Sequence, residues 1–182
     1  MSTYLALLRG INVSGKNKLR MPDLQACLAE LGCEEVRTYL QSGNAVFQAK
    51  KEAPAKLAAR IEASLKKDYK VDSPVLVLPA KDLDAIATDN PLLPKSGSFE
   101  ETHFHATFLF EPVTQKTFEA LKLPAAEGEH AALVKGAILL HCPHGYGRTK
   151  LNNTWFERAL KVKATTRNWR SVLALRHMCD VS

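Results

Sequence analysis

Long hydrophobic runs, paired cysteine motifs and compositional extremes are all missing from this sequence of 182 residues. No stretch approaches the roughly 18 consecutive apolar residues of a membrane span, and the N-terminal apolar run is too short for a signal peptide. The sequence therefore predicts a cytoplasmic protein with no membrane partner. Its hydrophobic share of 46% and charged share of 24% are ordinary for a globular protein, which excludes disordered, fibrous and coiled-coil chains.

Cysteine and histidine give no recognisable metal motif. The cysteines show neither a CxxC pair nor zinc spacing, so we expect reduced thiols that mostly serve as small core residues: Cys27, Cys33, Cys142 and Cys179. His103 and His105 are two apart on a predicted strand, which would place them on one face with His141 or His144 as a further ligand. Because the sequence fixes no third ligand, we interpret them as surface or core histidines and predict no metal and no cofactor.

The positive charge is concentrated at the two ends of the chain. Residues 1–20 carry four basic residues and no acidic one, and residues 144–182 carry eight basic residues against two acidic ones. The net charge of +6 therefore arises from the ends, because the central residues sum to a negative charge. If the ends meet in space, they form one positive patch of the kind that binds phosphate or nucleic acid. The alternative is a set of solvated lysines and arginines without a partner.

Hydrophobic periodicity predicts the order β-α-β-β-α-β for the first half. A buried strand over 3–9 precedes a helix that starts at Pro22, and a hairpin turns at Ser42-Gly43. A helix over 54–69 and a strand over 74–79 complete the ferredoxin-like unit. We therefore place the first domain at residues 1–80.

The second half, residues 81–182, repeats this pattern in part. After a helix over 81–88 and a loop come a strand at Thr102–Phe110, a helix near 114–121, a hairpin around Gly136 and a helix over 151–161. A last helix from about Arg167 to Met178 stands where a fourth strand would be. The predicted fold class is thus α+β, with two ferredoxin-like βαββα-type halves, antiparallel sheets, and a second half modified by a C-terminal helix.

Several blocks of sequence resemble a bacterial family catalogued as domain of unknown function 1697. They are Leu7–Val13 with Gly15–Asn17, the Gln41–Asn44 turn, Gly147-Arg148 with Lys150-Leu151, and Ala164–Trp169. The resemblance implies two ferredoxin-like halves and no established activity. Two positions depart from the pattern: Ser14 replaces a more usual glycine, and Cys142 replaces an aliphatic residue. The second departure weakens any function that depends on this thiol.

The loop between the first strand and the first helix is one candidate anion site. Gly10, Gly15 and Lys16 satisfy the GxxxxGK spacing of a P-loop, but Asn17 replaces the metal-binding hydroxyl, and the loop continues to Pro22 before the helix begins. Glycines let backbone N–H groups approach an anion, and basic side chains add charge. The alternative is a purely structural loop. The residues that we select here as ligand-binding are Arg9, Asn12, Lys16 and Asn17.

The segment His141–Thr149 is the second candidate, because it fits HCx5R[ST] and resembles the loop of cysteine-dependent phosphatases. In that chemistry a Cys142 thiolate would attack phosphorus, and Arg148 would hold the phosphoryl oxygens. Pro143, which removes an amide directly after the cysteine, argues against it, and no general acid can be nominated. Without the thiol, the same loop is an anion cradle whose partner would be the segment 165–170. The ligand-binding residues predicted here are Arg148, Lys150, Arg167 and Arg170.

Three function classes remain open at this stage, and whether the protein is an enzyme is not decided. The favoured one is an anion-binding protein whose loops at 9–20, 145–150 and 165–170 converge on a phosphate-bearing ligand or nucleic acid. The second is a phosphatase-like enzyme that uses Cys142 and Arg148. The third is a protein-interaction or dimerisation module, a homo-oligomer for example, because antiparallel sheets present faces and edges to partners.

Overall fold

A computed structural model describes residues 1–180. These residues form two compact units. The first unit comprises Met1–Asp84 together with the described residues from Ala174 onward, and the second unit comprises Ala85–Leu173. Each unit contains one four-stranded antiparallel sheet. None of the helices in residues 1–180 has the length and apolar character needed to cross a membrane.

The first sheet has the strand order β2-β3-β1-β4, which is the ferredoxin-like order for a βαββαβ chain. Its elements and the helix that follows them are β1 (Ser2–Leu8), α1 (Met21–Glu30), β2 (Glu34–Thr38), β3 (Asn44–Ala49), α2 (Pro54–Tyr69), β4 (Val75–Pro79) and α3 (Ala80–Thr88). The central strand β1 is apolar on both faces, and Leu5 and Leu7 on one face are as fully buried as Ala6 and Leu8 on the other. A strand buried on both faces explains why the sequence shows a continuous apolar run here.

The helices of the first unit pack their apolar stripes on one face of this sheet. Leu57, Ile61 and Leu65 of α2 recur at helical spacing, are fully buried, and belong to the same core cluster as Leu24 and Leu28 of α1. Burial of five such leucine and isoleucine side chains stabilises the unit by roughly 1.5–3 kcal/mol each. This packing fixes the ends of β1 and α1, and thereby the positions from which the loop between them starts and ends.

The second sheet has the equivalent order β6-β7-β5-β8, so both units share the ferredoxin-like topology. Its elements are a 3-10 helix (Glu101–His103), β5 (Phe104–Leu109), α4 (Gln115–Glu119), β6 (His130–Val134), β7 (Ala137–His141), α5 (Asn153–Leu160), β8 (Ala164–Asn168) and α6 (Trp169–Asp180). The core on the helix side contains Phe118, Ile138, Leu140, Leu151 and Phe156.

Strand β8 corrects the sequence-based prediction that a helix replaces the fourth strand. Thr165, Thr166 and Arg167 lie within β8, and α6 begins only at Trp169. The β-branched side chains of the two threonines favour extended backbone, and the Thr166 hydroxyl shares a 2.8 Å hydrogen bond with Thr107 on the neighbouring strand β5. The second half is therefore a complete βαββαβ unit followed by a helix.

Candidate functional site

The loop between β1 and α1, residues 9–20, has an unusual density of left-handed backbone. Gly10, Asn12, Ser14, Gly15 and Asn17 all have φ between +47° and +74°. The Lys16 amide donates to the Val13 carbonyl at 3.0 Å, which closes a tight turn with Ser14 and Gly15 at its centre. Positive φ at both central residues is the signature of the type I′ hairpin turn. Residues 13–16 thus form a tight hairpin turn within the loop.

Two asparagines that we selected as ligand-binding residues hold this loop in shape. Asn12 donates from Nδ2 to the carbonyls of Leu19 at 2.9 Å and Gln41 at 2.7 Å, and its Oδ1 accepts from the Leu19 amide at 2.9 Å. Asn17 donates from Nδ2 to the Asp72 carbonyl at 3.1 Å. Both side chains therefore make the hydrogen bonds that stabilise a strained backbone, which is a structural role the motif did not predict.

The Gln41–Asn44 turn packs directly against the start of the same loop. The Leu8 amide donates to the Gly43 carbonyl at 2.9 Å. A Cβ atom on Gly43 would lie 2.7 Å from Cδ1 of Ile11 and 2.8 Å from Cβ of Leu8, so only glycine fits. Two of the sequence blocks that carry the family resemblance consequently form one surface of the first unit.

Lysine supplies the free positive charge of this surface. Lys16 and Lys18 are exposed, and neither forms an ion pair within residues 1–180. Arg20, in contrast, is bound to the Asp23 carboxylate by two hydrogen bonds of 2.8 and 2.9 Å. Arg9 is partly buried. The loop therefore presents two lysine ammonium groups to solvent from a backbone that is held by internal hydrogen bonds.

The geometry of Cys142 does not fit a phosphatase nucleophile. Its side chain is fully buried, its amide donates to the His103 carbonyl at 2.7 Å, and burial raises the pKa of the thiol to about 11. A hydrogen bond with Thr149 lowers the pKa by less than burial raises it. Cysteine nucleophiles require the opposite, an accessible thiol with a depressed pKa. The HCx5R[ST] pattern here joins the end of β7 to α5 and leaves Cys142 in the core.

The backbone of the loop after Cys142 forms hydrogen bonds within the loop. The Gly145 amide donates to the Cys142 carbonyl at 3.0 Å and the Arg148 amide to the Gly145 carbonyl at 3.2 Å, so these amides form consecutive turns. Arg148 and Lys150 are exposed and make no ion pair within residues 1–180. The loop of the second unit thus resembles that of the first unit. Its backbone is held by internal hydrogen bonds, and it carries two exposed cations that form no ion pair within residues 1–180.

The third predicted segment separates its two arginines. Arg167 lies in β8, is 8% exposed, and donates from Nη1 to the Thr165 hydroxyl at 2.6 Å and the Thr166 carbonyl at 3.0 Å. Burial lowers its pKa to about 10, which still leaves it charged at neutral pH. Arg170 lies on α6 with its side chain 69% exposed, 3.8 Å from the Glu101 carboxylate. The prediction that the last helix starts at about Arg167 is therefore wrong by two residues, and the two arginines lie on different elements.

The histidines also differ from the predicted arrangement. His103 lies in the 3-10 helix and only His105 lies in β5, so the two do not share a strand. The rings of His103 and His130 each lie 6.3 Å from that of His141 between centroids. Within residues 1–180, no group of three or more histidine, cysteine, aspartate or glutamate side chains is arranged to hold a metal ion.

A network around Tyr146 and Asn153 was missed at the sequence level. The His105 ring stacks on Tyr146 with 4.6 Å between centroids, and the Tyr146 hydroxyl accepts a 2.9 Å hydrogen bond from the Asn153 amide. The Asn153 side chain then joins α5 to β8 through the Ala164 carbonyl at 3.0 Å and the Thr166 hydroxyl at 2.9 Å. No sequence signal marks it, because its members are far apart along the chain.

A cavity of about 570 Å³ lies in the first unit, close to the start of α2. Its walls include Tyr4, Glu52 and the exposed residues Lys51 and Lys81. The Tyr4 hydroxyl is bonded to the Glu52 backbone on this side of the sheet. The motifs of the sequence predicted no role for these residues, because none of them belongs to a motif.

Comparison with known proteins identifies the family. The family model described as "Protein of unknown function (DUF1697)" matches residues 1–139. The chain belongs to the DUF1697 family. A solved structure of a conserved bacterial protein from Streptococcus pneumoniae resembles this DUF1697 chain with a TM-score of 0.73 and 27% sequence identity, over 98% of each chain. No curated protein matches the DUF1697 chain. The matched family range contains the 9–20 loop and the Gln41–Asn44 turn, and ends before the Cys142 loop.

Proposed function

We propose that this DUF1697 protein binds a phosphate-bearing ligand through its basic loops, with the phosphate backbone of a nucleic acid as the first ligand to test. The observation that carries the proposal is a pair of exposed cations on each loop that form no ion pair within residues 1–180. They are Lys16 and Lys18 in the first unit and Arg148 and Lys150 in the second. A phosphate can therefore bind these side chains without displacing an internal carboxylate.

Several other basic residues are less suited, because a carboxylate already neutralises them. The ion pairs are Arg20 with Asp23, Arg60 with Glu52, Lys66 with Asp72, Arg170 with Glu101, and Arg176 with Asp84. Phosphate binding at those positions would first have to break an ion pair. Binding at the candidate loops gains the full release of counterions from the ligand.

The hydrogen bonds that hold the first loop support the same proposal. Asn12 and Asn17 hold the backbone in left-handed conformations that cost energy in isolation, and such strain is concentrated at functional sites. A preorganised loop also loses little conformational entropy when it binds, so more of the electrostatic attraction is retained as affinity. The phosphatase alternative is disfavoured by the buried, high-pKa thiol of Cys142.

A fluorescence titration with short single- and double-stranded oligonucleotides at two salt concentrations tests this proposal. Binding should weaken with salt, with a log-log slope of roughly −0.7 to −0.9 per phosphate neutralised. The variants Lys16→Ala/Lys18→Ala and Arg148→Ala/Lys150→Ala should each reduce the magnitude of this slope by about 1 to 2, because each removes two contacts. The matched control is Lys116→Ala/Lys122→Ala, which removes two exposed lysines outside both loops.

The outcomes separate the proposal from nonspecific attraction to a basic protein. Equal losses in the control and in both loop variants would show that net charge alone drives binding, and would contradict a specific loop site. Absence of binding at low salt would reject nucleic acid as the ligand. A loss confined to one loop variant would assign the site to that unit.

A further inference from the structure

Helix α5 of the second unit has exposed positive charge at both of its ends. Arg148 and Lys150 lie in the loop before the helix, Arg158 lies in its last turn, and Lys161 directly follows it. All four residues are exposed, and none forms an ion pair within residues 1–180. Arg158 and Lys161 belong to none of the three loops that the sequence analysis selected. We call these four residues the α5 basic surface.

The helix directs Arg158 to solvent because the opposite side of the helix is in the core. Phe156 is fully buried, and Leu160 packs against the same core. An α-helix turns by about 100° per residue, so Arg158, two residues from each of them, lies on the side opposite to both. Thr154, four residues before Arg158, is exposed on that same side. The solvent side of α5 therefore extends from the loop cations to Arg158 and Lys161.

Acidic residues are scarce in this part of the chain. Glu157 is the only acidic residue between positions 148 and 163. It is half-buried, and its carboxylate accepts a 2.8 Å hydrogen bond from Nδ2 of Asn153. Lys163 is left out of the α5 basic surface, because the hydrogen bond from the Phe110 amide to the Lys163 carbonyl places it near the exposed Glu111. The segment that forms the surface is therefore strongly positive.

A hydrogen bond holds the loop cations at the start of α5. The Tyr146 hydroxyl accepts from the Asn153 amide at 2.9 Å, so the intervening segment with Arg148 and Lys150 starts and ends at the first turn of the helix. The helix has 8 residues, and at 1.5 Å per residue it is about 12 Å long. The two pairs of cations are therefore separated by the length of this helix.

The dipole of the helix explains only half of this charge distribution. Basic side chains at the C-terminus of a helix are stabilised by the negative end of its dipole, which accounts for Arg158 and Lys161. Near the N-terminus basic side chains meet the positive end of the dipole, so Arg148 and Lys150 are not stabilised in this way. A partner that carries negative charge along the whole helix would stabilise both pairs.

We propose that the α5 basic surface binds the phosphate backbone of an oligonucleotide, so that the ligand of the second unit is a polyanion rather than a small phosphate compound. This inference rests on the proposed function, because it extends the site of Arg148 and Lys150 along α5. With one phosphate per 3.4 Å of each strand, about 12 Å of B-form backbone carries roughly four phosphates. A ligand with one or two phosphates is too short to reach both pairs of cations.

Fluorescence anisotropy with a labelled oligonucleotide of about 12 nucleotides and a labelled 5′-phosphorylated dinucleotide, each at several salt concentrations, tests the inference on the full chain. The log-log salt slope should be larger in magnitude for the long ligand by about 1 to 2, because only this ligand contacts both pairs. The variant Arg158→Gln/Lys161→Gln should reduce the slope of the long ligand by a similar amount.

Two further variants are the controls, and far-UV circular dichroism checks that every variant is folded. Arg158→Lys/Lys161→Arg keeps both charges and should retain the wild-type slope. Lys56→Gln/Lys67→Gln removes two exposed lysines of α2 that form no ion pair within residues 1–180, and should also leave the slope unchanged.

The outcomes separate this inference from the proposed function. An unchanged slope in Arg158→Gln/Lys161→Gln, together with a reduced slope in Arg148→Ala/Lys150→Ala, would overturn the α5 basic surface and leave the loop site intact. Equal losses in the α2 variant, or equal slopes for the long and the short ligand, would overturn it as well. Absence of binding by both ligands at low salt would reject the inference together with the proposed binding of nucleic acid.

Discussion

His105 combines burial with a titratable ring, and this combination makes the stability of the protein depend on pH. Its folded-state pKa is lowered from 6.5 to about 4 because burial opposes the charged form. The unfolded chain therefore binds a proton near pH 6.5 that the folded chain refuses until about pH 4. The contribution of the neutral His105 ring to stability is therefore fully present above about pH 6.5, and it is lost as the pH falls from 6.5 towards 4.

We expect this single residue to reduce the free energy of unfolding by about 2 kcal/mol between pH 7 and pH 5. Urea unfolding of the wild type and of His105→Gln at both pH values measures the effect. Glutamine does not titrate, so the loss between pH 7 and pH 5 should be smaller in the variant by about that amount. The same pH dependence in both proteins would show that the ring protonates normally in the folded state.

The roles of single residues were harder to predict from the sequence than the secondary structure or the fold. Cys142 and Arg148 matched a catalytic pattern, yet a short pattern cannot show whether a thiol is buried. Asn12 and Asn17 were selected for their polar side chains, and the structure uses those side chains to brace the backbone. The exposure of Lys16 follows from its position in a glycine-containing turn, which the sequence does show.

The 9–20 loop and the Gln41–Asn44 turn depend on one glycine at their contact. Gly43 has φ of +83°, and a Cβ atom there would lie 2.7 Å from the Ile11 side chain. Alanine would therefore suffer both the left-handed backbone penalty of roughly 1–2 kcal/mol and an overpacking cost of roughly 1–3 kcal/mol. The loop that presents Lys16 and Lys18 would be displaced as a consequence.

The matched control is Gly32→Ala, because Gly32 has almost the same φ, +82°, and nothing within 4 Å of the added methyl group. We expect Gly43→Ala to lower the urea midpoint clearly more than Gly32→Ala does. The difference between the two variants reports the contact alone, since the backbone penalty is common to both. Equal effects would show that the Gln41–Asn44 turn moves away without cost.

The types of the secondary-structure elements were largely predictable from the sequence. The exception is strand β8. The apolar strand over 3–9, the helix start at Pro22 and the hairpin turn at Ser42-Gly43 correctly predicted the order of elements in the first unit. Strand β8 was missed because it is short, contains only one small apolar residue, Ala164, and runs directly into α6. Its stability comes from pairing with β5, a tertiary effect that no local pattern encodes.

All four cysteines of the molecule are buried, and burial raises the pKa of each thiol. For a pKa of about 11, as in Cys142, only about one thiol in a thousand is ionised at pH 8. We therefore expect an aromatic disulfide reagent to react slowly with the native protein at pH 8 and to titrate four thiols per chain in denaturant. The absorbance of the released thiolate measures both.

A single thiol that reacts rapidly with the reagent in the native protein would contradict this expectation. If that thiol disappeared in Cys142→Ser but not in Cys179→Ser, the phosphatase hypothesis would regain support. The comparison is well matched, because burial raises the pKa of both cysteines to about 11.

The fold class of the whole molecule followed from the sequence, since two successive βαββα patterns specify two antiparallel sheets. Which residues belong to which unit did not follow from the sequence. Nothing in the pattern indicates that residues from Ala174 onward pack with Met1–Asp84, because the association joins residues about as far apart as the chain allows. The hydrogen bond from Arg37 to the Met178 carbonyl, 2.6 Å long, is one contact of this kind.

This discontinuity sets an order of events during synthesis. The ribosome must translate residues 85–173 before the last part of the first unit exists, a delay of roughly 4 to 18 s at about 5 to 20 residues per second. During that interval the segment Met1–Asp84 lacks the C-terminal residues that complete its unit. The second unit, in contrast, is a single continuous segment, Ala85–Leu173. The unit that begins first is thus the one that is completed last, and a stalled or truncated translation product leaves it unfinished.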